Sequence, residues 1–378
     1  MRAEGYIYRM KSWYEIDHIE QLDSPALVVF PERVTFNIDQ AIKMAGRASR
    51  LRPHVKTHKS PDVCRLMMDR GITKFKCATI AEAEMLGMAE GPDVLLAYQP
   101  QGPKIKRLIQ LIRKYPGTRY SSLVDSLETA TEISGALKAE GLVLDVYLDI
   151  NVGMNRTGIN PGEEAVELFR YCTRSYGLHP VGLHIYDGHI RDEDLVVRKE
   201  KCDAAFERAI LLRDQLEEGN GHNLKMVCGG SPTFPIHATR PEVECSPGTF
   251  VYWDAGYGTL FKEPYFLPAA VLVTRVISKP GPGLICTDLG HKAVAAENEI
   301  SRRVHFLNSK NLQAQGQSEE HLVLKYDNEE EYHTGEILYA LPYHICPTIA
   351  LYERVITVEN HQVSGEWMTI ARDRKITV

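Results

Sequence analysis

The sequence predicts an α/β protein: a (β/α)8 TIM-type barrel over residues 24–261, with a second, antiparallel β-rich domain formed by residues 1–23 and 262–378. Two observations favour this fold class. Eight β-rich or apolar runs, separated by helix-sized stretches, fill the first two-thirds of the chain, which is typical of a parallel sheet. From about residue 262 the β-patterned runs follow one another with few helix-length gaps, which is typical of an antiparallel sheet.

The eight runs equal the strand count of a (β/α)8 barrel, and roughly 230 residues is close to the usual length of that fold. Between two of them, TIAEAEMLGMAEG has Ala81, Met85 and Met88 at helical spacing. A doubly wound open sheet is the alternative, and it is disfavoured because no G-x-G-x-x-G follows the first run. The predicted strands are ALVVF (26–30), RPHVK (52–56), KFKCAT (74–79), VLLAY (94–98), YSSLVD (120–125), LDVYLDI (144–150), VGLHIY (181–186) and LKMVCGG (224–230).

The predicted β-rich domain has runs that are broken by Gly, Pro and Asn rather than by helices. The N-terminal segment GYIYRMKSWYEI is expected to add a strand to it. The other predicted strands of this domain are AAVLVTRVISKP (269–280), GLICTDLG (283–290), HLVLKYD (321–327), EILYAL (336–341), ERVITVEN (353–360) and GEWMTIA (365–371).

Composition and charge narrow the function classes. With 44 Lys and Arg against 50 Asp and Glu, the net charge of −6 gives no electrostatic basis for binding nucleic acid. No apolar run approaches the roughly 18 residues that span a membrane, and the N-terminus lacks the apolar core of a signal peptide. Eight scattered cysteines without a C-x-x-C pair indicate reduced thiols. We therefore expect a soluble cytoplasmic protein that binds neither nucleic acid nor a membrane.

The stretch RPHVKTHK, which begins at Arg52, places five cationic or protonatable side chains within a predicted strand. Because strand side chains alternate between faces, Arg52, His54 and Lys56 are expected on the same side. One interpretation is an exposed basic edge strand. The other is that Lys56 is a nucleophilic lysine, kept deprotonated by its cationic neighbours. A lysine at the end of a barrel strand could form a Schiff base, and pyridoxal phosphate is the commonest cofactor that does so.

A phosphorylated cofactor needs a phosphate-binding loop, and two glycine-containing loops near the end of the predicted barrel offer one. In VCGGSPTFP, Gly229 and Gly230 allow backbone N–H groups to approach a phosphate closely, and Ser231 adds a hydroxyl. In ECSPGTFVYWDAGYGT, Tyr257 adds another hydroxyl. An ordinary glycine turn is the alternative at either position.

Polar residues also follow the sixth and seventh predicted strands. LDINVGMNRTGI contains Arg156, which is either part of a solvated loop or a contact for the cofactor's phenolate oxygen. HIYDGHIRDED contains His184, Tyr186 and His189. A histidine at a strand end is a candidate acid–base group, although it could equally be a satisfied polar residue.

The C-terminal stretch YALPYHICPTIALYE contains a candidate metal site. His344 and Cys346 stand two positions apart, so in an extended backbone they project from one face. An imidazole and a thiolate suit Zn²⁺ better than Mg²⁺ or Ca²⁺. Two protein ligands leave coordination positions open for substrate and water, as in a catalytic metal site. A chance His-x-Cys is the alternative. We predict a divalent metal, with Zn²⁺ favoured over Mn²⁺ or Mg²⁺.

Taken together, these motifs resemble, in order and over essentially the whole chain, the fold-type III pyridoxal phosphate enzymes. The closest resemblance is to the group containing D-threonine aldolase, D-serine dehydratase and D-threo-3-hydroxyaspartate dehydratase. RPHVKTHK resembles the cofactor-lysine motif, which implies that Lys56 carries the internal aldimine with His54 beside it. GMNRTG resembles the alanine-racemase-type loop that brings Arg156 to the cofactor. Three later stretches resemble motifs of this group. GLHIYDGH, which contains Tyr186 and His189, resembles its later active-site loop. CGGSPT resembles its phosphate loop, and LPYHICPT resembles its metal site.

The resemblance implies a metal-dependent lyase that acts on small D-3-hydroxy amino acids, usually as a homodimer. Dehydratases of the group use His-x-Cys, whereas aldolases tend to use His-x-Asp. Cys346 therefore favours a dehydratase, which releases a 2-oxo acid and ammonia. Its substrate would be of the D-serine or D-threo-3-hydroxyaspartate type. A D-threonine aldolase, which releases glycine and an aldehyde, is the alternative. An amino-acid racemase is a further alternative, but the C-terminal domain shows no second base for it.

Overall fold

The computed structural model describes residues 11–218, 223–263, 265–327 and 331–378, whose strands form a seven-stranded and a nine-stranded sheet. In chain order the strands are β1 (Ala26–Val29), β2 (Lys74–Cys77), β3 (Asp93–Leu96), β4 (Arg119–Val124), β5 (Leu144–Ile150), β6 (Leu178–Ile185), β7 (Lys225–Cys228), β8 (Val243–Cys245), β9 (Ala270–Gly281), β10 (Leu284–Thr287), β11 (Val304–Phe306), β12 (Gln313–Gln317), β13 (Leu322–Lys325), β14 (Ile337–Pro342), β15 (Arg354–Glu359) and β16 (Gln362–Met368).

Several helices start at side chains that cap their free N–H groups. Ser60 Oγ accepts a hydrogen bond from the N–H of Asp62 at 3.3 Å, and Thr79 Oγ1 accepts one from the N–H of Glu82 at 3.0 Å. None of the helices in these ranges combines the length and apolar character that a membrane span requires. The helices are α1 (Pro31–Ala45), α2 (Pro61–Met68), α3 (Ile80–Met88), α4 (Pro103–Lys114), α5 (Leu127–Glu140), α6 (Glu163–Arg174), α7 (Leu195–Glu217), α8 (Phe234–His237), α9 (Ala255–Leu260) and α10 (Ile345–Ile349).

The parallel sheet curls into a barrel that a short irregular segment closes. Strands β2 to β8 follow one another in parallel order. The segment Leu51–His54 bridges Cys245 on β8 at one end and Lys76 on β2 at the other. The N–H of Lys76 donates a hydrogen bond to the carbonyl oxygen of Pro53 at 2.8 Å. The predicted TIM-type barrel is confirmed, with this segment in the place of an eighth strand.

The composition of the barrel differs from the prediction at two strands. The run ALVVF forms β1 of the other sheet, where it pairs antiparallel with β9 and parallel with β15. In its place the barrel includes β8, which is only three residues long and has no recognisable pattern. The barrel therefore has seven strands rather than the predicted eight, and the Leu51–His54 segment fills the remaining position.

The prediction that RPHVK is a strand was wrong. Pro53 has no N–H group for a strand ladder, and a 3₁₀ turn begins at Val55. The side chains therefore do not share one face. Arg52 is buried inside the barrel, and His58 Nδ1 accepts a hydrogen bond from the N–H of Ser60 at 3.2 Å.

The predicted β-rich domain is confirmed as a mostly antiparallel sheet. Each of the six predicted runs beyond residue 268 contains a strand, and β11 and β12 add two strands that the sequence did not predict. The order is β12-β13-β10-β9-β1-β15-β16, and β14 pairs with both β9 and β11. Residues 1–10, part of the predicted N-terminal strand, lie outside the described residues. Strand β1 belongs to this sheet, although the prediction assigned its residues to the barrel. The exact domain boundaries remain a prediction.

Helix α3 shows how the two parts of the chain are tied together. It is buried on nearly all sides. Glu84 is fully buried and accepts hydrogen bonds from the N–H groups of Thr377 and Val378 at 3.0 and 3.2 Å. Glu82 forms an ion pair with Lys59. The C-terminal residues therefore pack against the barrel.

The closing segment is anchored by an ion pair network inside the barrel. Arg52 has no exposed surface, and its guanidinium donates to Glu244 Oε2 at 2.8 Å and to Asp93 Oδ1 at 2.6 Å. Lys74 also pairs with Glu244. Because Asp93 lies on β3 and Glu244 on β8, the network ties the segment to strands on both of its sides.

Replacing Arg52 by Ala should lower the free energy of unfolding by about 3–5 kcal/mol, because Asp93 and Glu244 would lose their buried cation. The control is Arg119→Ala, which removes a half-exposed cation paired with Asp145 and should cost about 1 kcal/mol or less. Urea denaturation of both variants measures the difference. Equal losses would contradict the anchoring role of Arg52.

Candidate active site

Lys56 lies on the wall of a cavity of about 440 Å³ at the end of the barrel. Its position follows from the local sequence: the closing segment ends at His54, and the 3₁₀ turn Val55–Thr57 then carries Lys56 over the barrel mouth. His54 Nδ1 accepts a hydrogen bond from the N–H of Lys56 at 3.2 Å. The cavity is lined by His54, Lys56, Lys76, Ala78, Ala97, Tyr98, Gln99, Gln101, Leu123, Asp125, Asp149, Arg156, Thr157, His184 and Tyr186.

Arg156 and Tyr186, both predicted to bind the cofactor, meet in this cavity. The guanidinium carbon of Arg156 lies 4.7 Å from the centre of the Tyr186 ring, which is a cation–π distance. The loop that carries Arg156 turns sharply because Asn151 Oδ1 accepts from the N–H groups of Gly153 and Asn155, both at 3.1 Å. The sequence therefore identified two side chains that the fold brings together.

The two predicted phosphate loops adjoin each other. Ser231 Oγ accepts hydrogen bonds from the N–H groups of Gly248 and Thr249 at 3.2 and 3.0 Å. Gly229 has a φ of +76°, which favours glycine, and a Cβ there would lie 2.6 Å from a carbon of the His237 ring. A Cβ on Gly230 would lie 3.1 Å from the Tyr186 ring. Backbone conformation and close packing therefore require glycine at Gly229, and a side chain at Gly230 would press against the Tyr186 ring.

His344 and Cys346 lie beside each other at the start of α10. Glu297 Oε1 is 2.7 Å from His344 Nδ1 and holds the proton on that nitrogen, so Nε2 is left to bind a ligand. Asp254 Oδ2 accepts from the N–H of Ile345 at 3.0 Å and fixes the backbone between the two residues.

Cys346 and His344 each stabilise the charged form of the other. Burial raises the pKa of the Cys346 thiol, but hydrogen bonding to His344 and the charge of Lys56 outweigh burial and bring that pKa below its ordinary value. Burial lowers the pKa of His344, but Cys346 and Glu297 outweigh it and raise the pKa to about 9. The thiolate, which these interactions stabilise, is the form of cysteine that binds soft divalent ions.

The pair from the C-terminal part and the lysine from the barrel form one site. Thr57 Oγ1 lies 3.2 Å from Cys346 Sγ, and Thr57 is the neighbour of Lys56. Thr249 Oγ1 of the second phosphate loop lies 3.8 Å from the same sulfur. The predicted lysine, phosphate and metal positions therefore converge.

His189 lies away from the Lys56 cavity, and Tyr257 lies in the neighbouring cavity that also contains His344. His189 is exposed and lines a separate cavity with Asp192 and Lys201, so the structure does not bring its ring to Lys56. Tyr257 lines a neighbouring cavity of about 270 Å³ with His344 rather than the cavity that holds Lys56. The acid–base role of His189 and the cofactor contact of Tyr257 remain predictions.

Sequence reasoning missed three charged residues of the cavity wall, Lys76, Asp125 and Asp149, and discussed His184 only as a strand-end histidine. Asp149 Oδ1 is 2.7 Å from His184 Nδ1, and Asp149 Oδ2 accepts from Thr157 Oγ1 at 2.8 Å. The available signal was a charged side chain within an otherwise apolar strand, since buried charges are rare without a partner or a function.

Asp187, Cys202 and His237 form a second buried cluster, and their ligand atoms lie within 4.8 Å of one another, a spacing that could hold a metal ion. Arg240 Nη1 faces His237 Nδ1 at 2.5 Å, so this nitrogen accepts and the proton sits on Nε2, 2.8 Å from Asp187 Oδ2. Burial raises the pKa of the Cys202 thiol to about 12. These protonation states favour a hydrogen-bond network that supports the Gly229 loop.

A family model described as the N-terminal domain of alanine racemase matches residues 31–255, which is more than half of the chain. The chain belongs to this family. A model described as a putative serine dehydratase domain matches residues 269–358 of this alanine racemase-like protein. The family with which the sequence shares its motifs is therefore confirmed.

Individual relatives of this alanine racemase-like protein cover most of its length. The D-threonine aldolase of Arthrobacter sp is 25% identical over 374 residues, which is 94% of each chain. The D-threo-3-hydroxyaspartate dehydratase of Delftia sp. (strain HT23) is 25% identical over 305 residues, 76% of each chain. The crystal structure of D-threonine aldolase from Filomicrobium marinum has a TM-score of 0.86 at 26% identity, covering 94% of this chain and 96% of that one.

Solved dehydratase structures have the same fold. A metal-free variant of D-threo-3-hydroxyaspartate dehydratase, in which a cysteine is replaced by alanine, has a TM-score of 0.81 at 21% identity, covering 93% of this chain and 98% of that one. These matches confirm the predicted barrel with a second, β-rich part.

The residues of this alanine racemase-like protein fit both groups that its motifs imply. For pyridoxal phosphate, the cavity offers the amine of Lys56, and His184 Nε2 is a buried atom without a hydrogen-bond partner among the described residues. For a metal, His344 Nε2, on a ring that Glu297 holds through Nδ1, and the adjacent Cys346 sulfur are a suitable donor set for Zn²⁺.

Replacing Gly230 by Val should weaken the binding of pyridoxal phosphate at least tenfold, because the new side chain would push against the Tyr186 ring. The matched control is Gly135→Val on α5, where a Cβ meets nothing within 4 Å. Equilibrium titration of the cofactor-free variants measures the affinities. An unchanged affinity in Gly230→Val would place the phosphate elsewhere.

Replacing Cys346 by Ala should remove most of the bound Zn²⁺, whereas Cys202→Ala should retain it, because only Cys346 belongs to a cluster whose protonation state favours a metal. Elemental analysis of the two variants after loading with zinc and desalting measures the difference. Loss of zinc from Cys202→Ala alone would assign the metal to the buried Asp187 cluster.

Proposed function

We propose that this protein is a pyridoxal phosphate- and divalent metal-dependent lyase that acts on small D-3-hydroxy amino acids. The observation that carries the proposal is the contact of 3.2 Å between Thr57 Oγ1 and Cys346 Sγ, which supports a metal site at His344 and Cys346 beside the lysine of the barrel cavity. The names of the relatives support the substrate class, since they refer to D-threonine and to D-threo-3-hydroxyaspartate.

The cofactor, when bound, supplies an electron sink for negative charge at the α-carbon of the substrate. Lys56 would hold the cofactor, and its Nζ is the group that would accept the α-proton of the substrate. Arg156 and Tyr186 orient the ring from the facing wall of the cavity. The Gly229–Ser231 loop would lie against the phosphate, which can approach its backbone closely because Gly229 and Gly230 carry no side chains.

The metal, when bound, supplies a Lewis acid for the 3-hydroxyl group. His344 Nε2 and Cys346 Sγ hold it, with Zn²⁺ favoured over Mn²⁺ or Mg²⁺. Glu297 keeps the proton of His344 on Nδ1 and so fixes the orientation of the ring. Two protein ligands leave positions open for the substrate, so these residues place its 3-hydroxyl beside Lys56.

The dehydratase reaction, which releases a 2-oxo acid and ammonia, is favoured by the cysteine at position 346. Two solved structures of D-threo-3-hydroxyaspartate dehydratase carry alanine in place of a histidine and of a cysteine two positions further along that chain, and the cysteine variant is described as metal-free. His344 and Cys346 have the same spacing in this chain. This agreement supports a dehydratase-type metal site.

An aldolase that releases glycine and an aldehyde is the second candidate, because the Arthrobacter aldolase matches 94% of this chain and the Delftia dehydratase matches 76%. A racemase is a third alternative, which requires a second base opposite Lys56. We further propose a cytoplasmic homodimer that takes a small-molecule substrate and binds neither nucleic acid nor a membrane.

Incubation of the metal-loaded protein with D-serine, D-threonine and D-threo-3-hydroxyaspartate should yield 2-oxo acid and ammonia rather than glycine. Chromatographic quantification of both products separates the two reactions, and chiral analysis detects a racemase. Lys56→Ala should lose at least a thousandfold in rate, whereas the exposed Lys106→Ala should keep the wild-type rate. Glycine as the main product would assign the aldolase, and full activity without metal would contradict the metal-dependent lyase.

Substitution of Cys346 by Asp should shift the metal preference from Zn²⁺ towards Mn²⁺ and reduce the yield of 2-oxo acid, since a carboxylate is a harder ligand than a thiolate. Activity of the metal-stripped variant after addition of each ion measures the preference. An unchanged preference for Zn²⁺ would show that Cys346 is not a ligand.

A further inference from the structure

The cavity that holds Lys56 contains a second lysine, Lys76 of β2. Only 3% of Lys76 is exposed, yet its side chain lines the cavity together with those of Lys56 and His184. Its Nζ lies 5.8 Å from the centre of the Tyr186 ring, on which Arg156 also packs. The amine therefore points towards the part of the cavity assigned to the cofactor ring.

The amine of Lys76, like that of Lys56 in the same cavity, has no carboxylate partner among the described residues, although only 3% of the residue is exposed. A cation in so enclosed a position is costly without a partner, which favours a ligand in the cavity. Three other buried or half-buried cations nearby have carboxylate partners: Arg52 pairs with Asp93 and Glu244, Lys74 with Glu244, and Lys59 with Glu82.

The environment of the cavity brings the pKa of the Lys76 amine close to neutral pH. Burial and then the charge of Lys56 lower the pKa of Lys76 to about 7, while Asp149 and Asp187 oppose the shift. Protonated or neutral, the amine can donate a hydrogen bond. The titratable groups around it are His54, Lys56, Asp149, His184, Asp187 and Cys228.

His184 provides a complementary unpaired atom in the same cavity. Its Nδ1 donates to Asp149 Oδ1 at 2.7 Å, which leaves Nε2 as an acceptor. This Nε2 is buried and has no partner among the described residues. An unpaired donor on Lys76 and an unpaired acceptor on His184, both facing one cavity, indicate that the cavity receives a polar ring rather than an apolar group.

We propose that Lys76 is a second cofactor-binding lysine, whose amine donates a hydrogen bond to an acceptor atom of the cofactor ring, either the phenolic oxygen or the pyridine nitrogen. This inference rests on the proposed function. The ring is favoured over the phosphate because none of the described residues of the Gly229–Ser231 and Gly248–Thr249 loops lines this cavity. Lys76 thereby helps to set the protonation of the C=N bond between Lys56 and the cofactor, since a nearby positive charge disfavours a proton there.

Lys76→Met tests the proposal by keeping the length of the side chain and removing its amine. Reconstituted with pyridoxal phosphate, this variant should show a visible absorbance titration whose midpoint lies about one pH unit above that of the wild type. Its dissociation constant for pyridoxal phosphate should rise about tenfold. The matched control is Lys74→Met on the same strand, whose amine pairs with Glu244, and it should change neither value.

A cofactor analogue identifies the atom that Lys76 contacts. With 3-deoxypyridoxal 5′-phosphate, the affinity difference between wild type and Lys76→Met should vanish if the partner is the phenolic oxygen, and persist if it is the pyridine nitrogen. Either result supports the proposal. Unchanged midpoint and affinity for pyridoxal phosphate in Lys76→Met, or a change confined to the KM for substrate, would overturn it.

Labelling of the wild-type protein covers the case in which Lys76→Met does not fold. Bound pyridoxal phosphate should reduce the acetylation of Lys76 by acetic anhydride several-fold, measured by mass spectrometry, and leave that of Lys106 unchanged. Equal labelling of Lys76 with and without cofactor would overturn the inference. A wild-type protein that forms no bond between Lys56 and the cofactor would instead contradict the proposed function.

Discussion

The buried charge of Arg52 is the constraint on which the active-site geometry depends. A guanidinium without exposed surface needs its carboxylate partners, and Asp93 and Glu244 supply them from strands β3 and β8. These ion pairs hold a segment that cannot form a full strand, because it contains Pro53. Lys56 follows four residues after Arg52, so the closure of the barrel also fixes the position of the candidate nucleophile.

Residues from the C-terminal part of the chain complete the site. Contacts of Thr57 with Cys346, and of Asp254 with the backbone between His344 and Cys346, join the barrel mouth to the start of α10. A barrel alone would hold the cofactor, but a metal-binding pair beside it allows chemistry at the substrate's 3-position. The combination of the two parts, rather than either fold, therefore supports the proposed lyase function.

The sequence located the reactive groups because chemically unusual patterns stood out. RPHVKTHK, GMNRTG, CGGSPT and His-x-Cys are local signals, and their residues Lys56, Arg156 and Cys346 do converge in space. The sequence analysis did not identify Lys76 as a cavity residue, because a lysine in the predicted strand KFKCAT is expected on the exposed face of that strand. In a barrel the alternate residues of a strand face an enclosed interior, which the pattern alone does not reveal.

By itself the sequence determined the alternation of strands and helices and the change to β structure near residue 262, and it singled out the lysine and the His-x-Cys pair as candidates, because periodicity and residue chemistry are local properties. Only the tertiary structure decided that ALVVF leaves the barrel for the other sheet, that Leu51–His54 closes the barrel, and that His189 and Tyr257 lie outside the Lys56 cavity. Those outcomes depend on pairing between segments far apart in the chain, where long-range packing and buried charge pairs outweigh local preference.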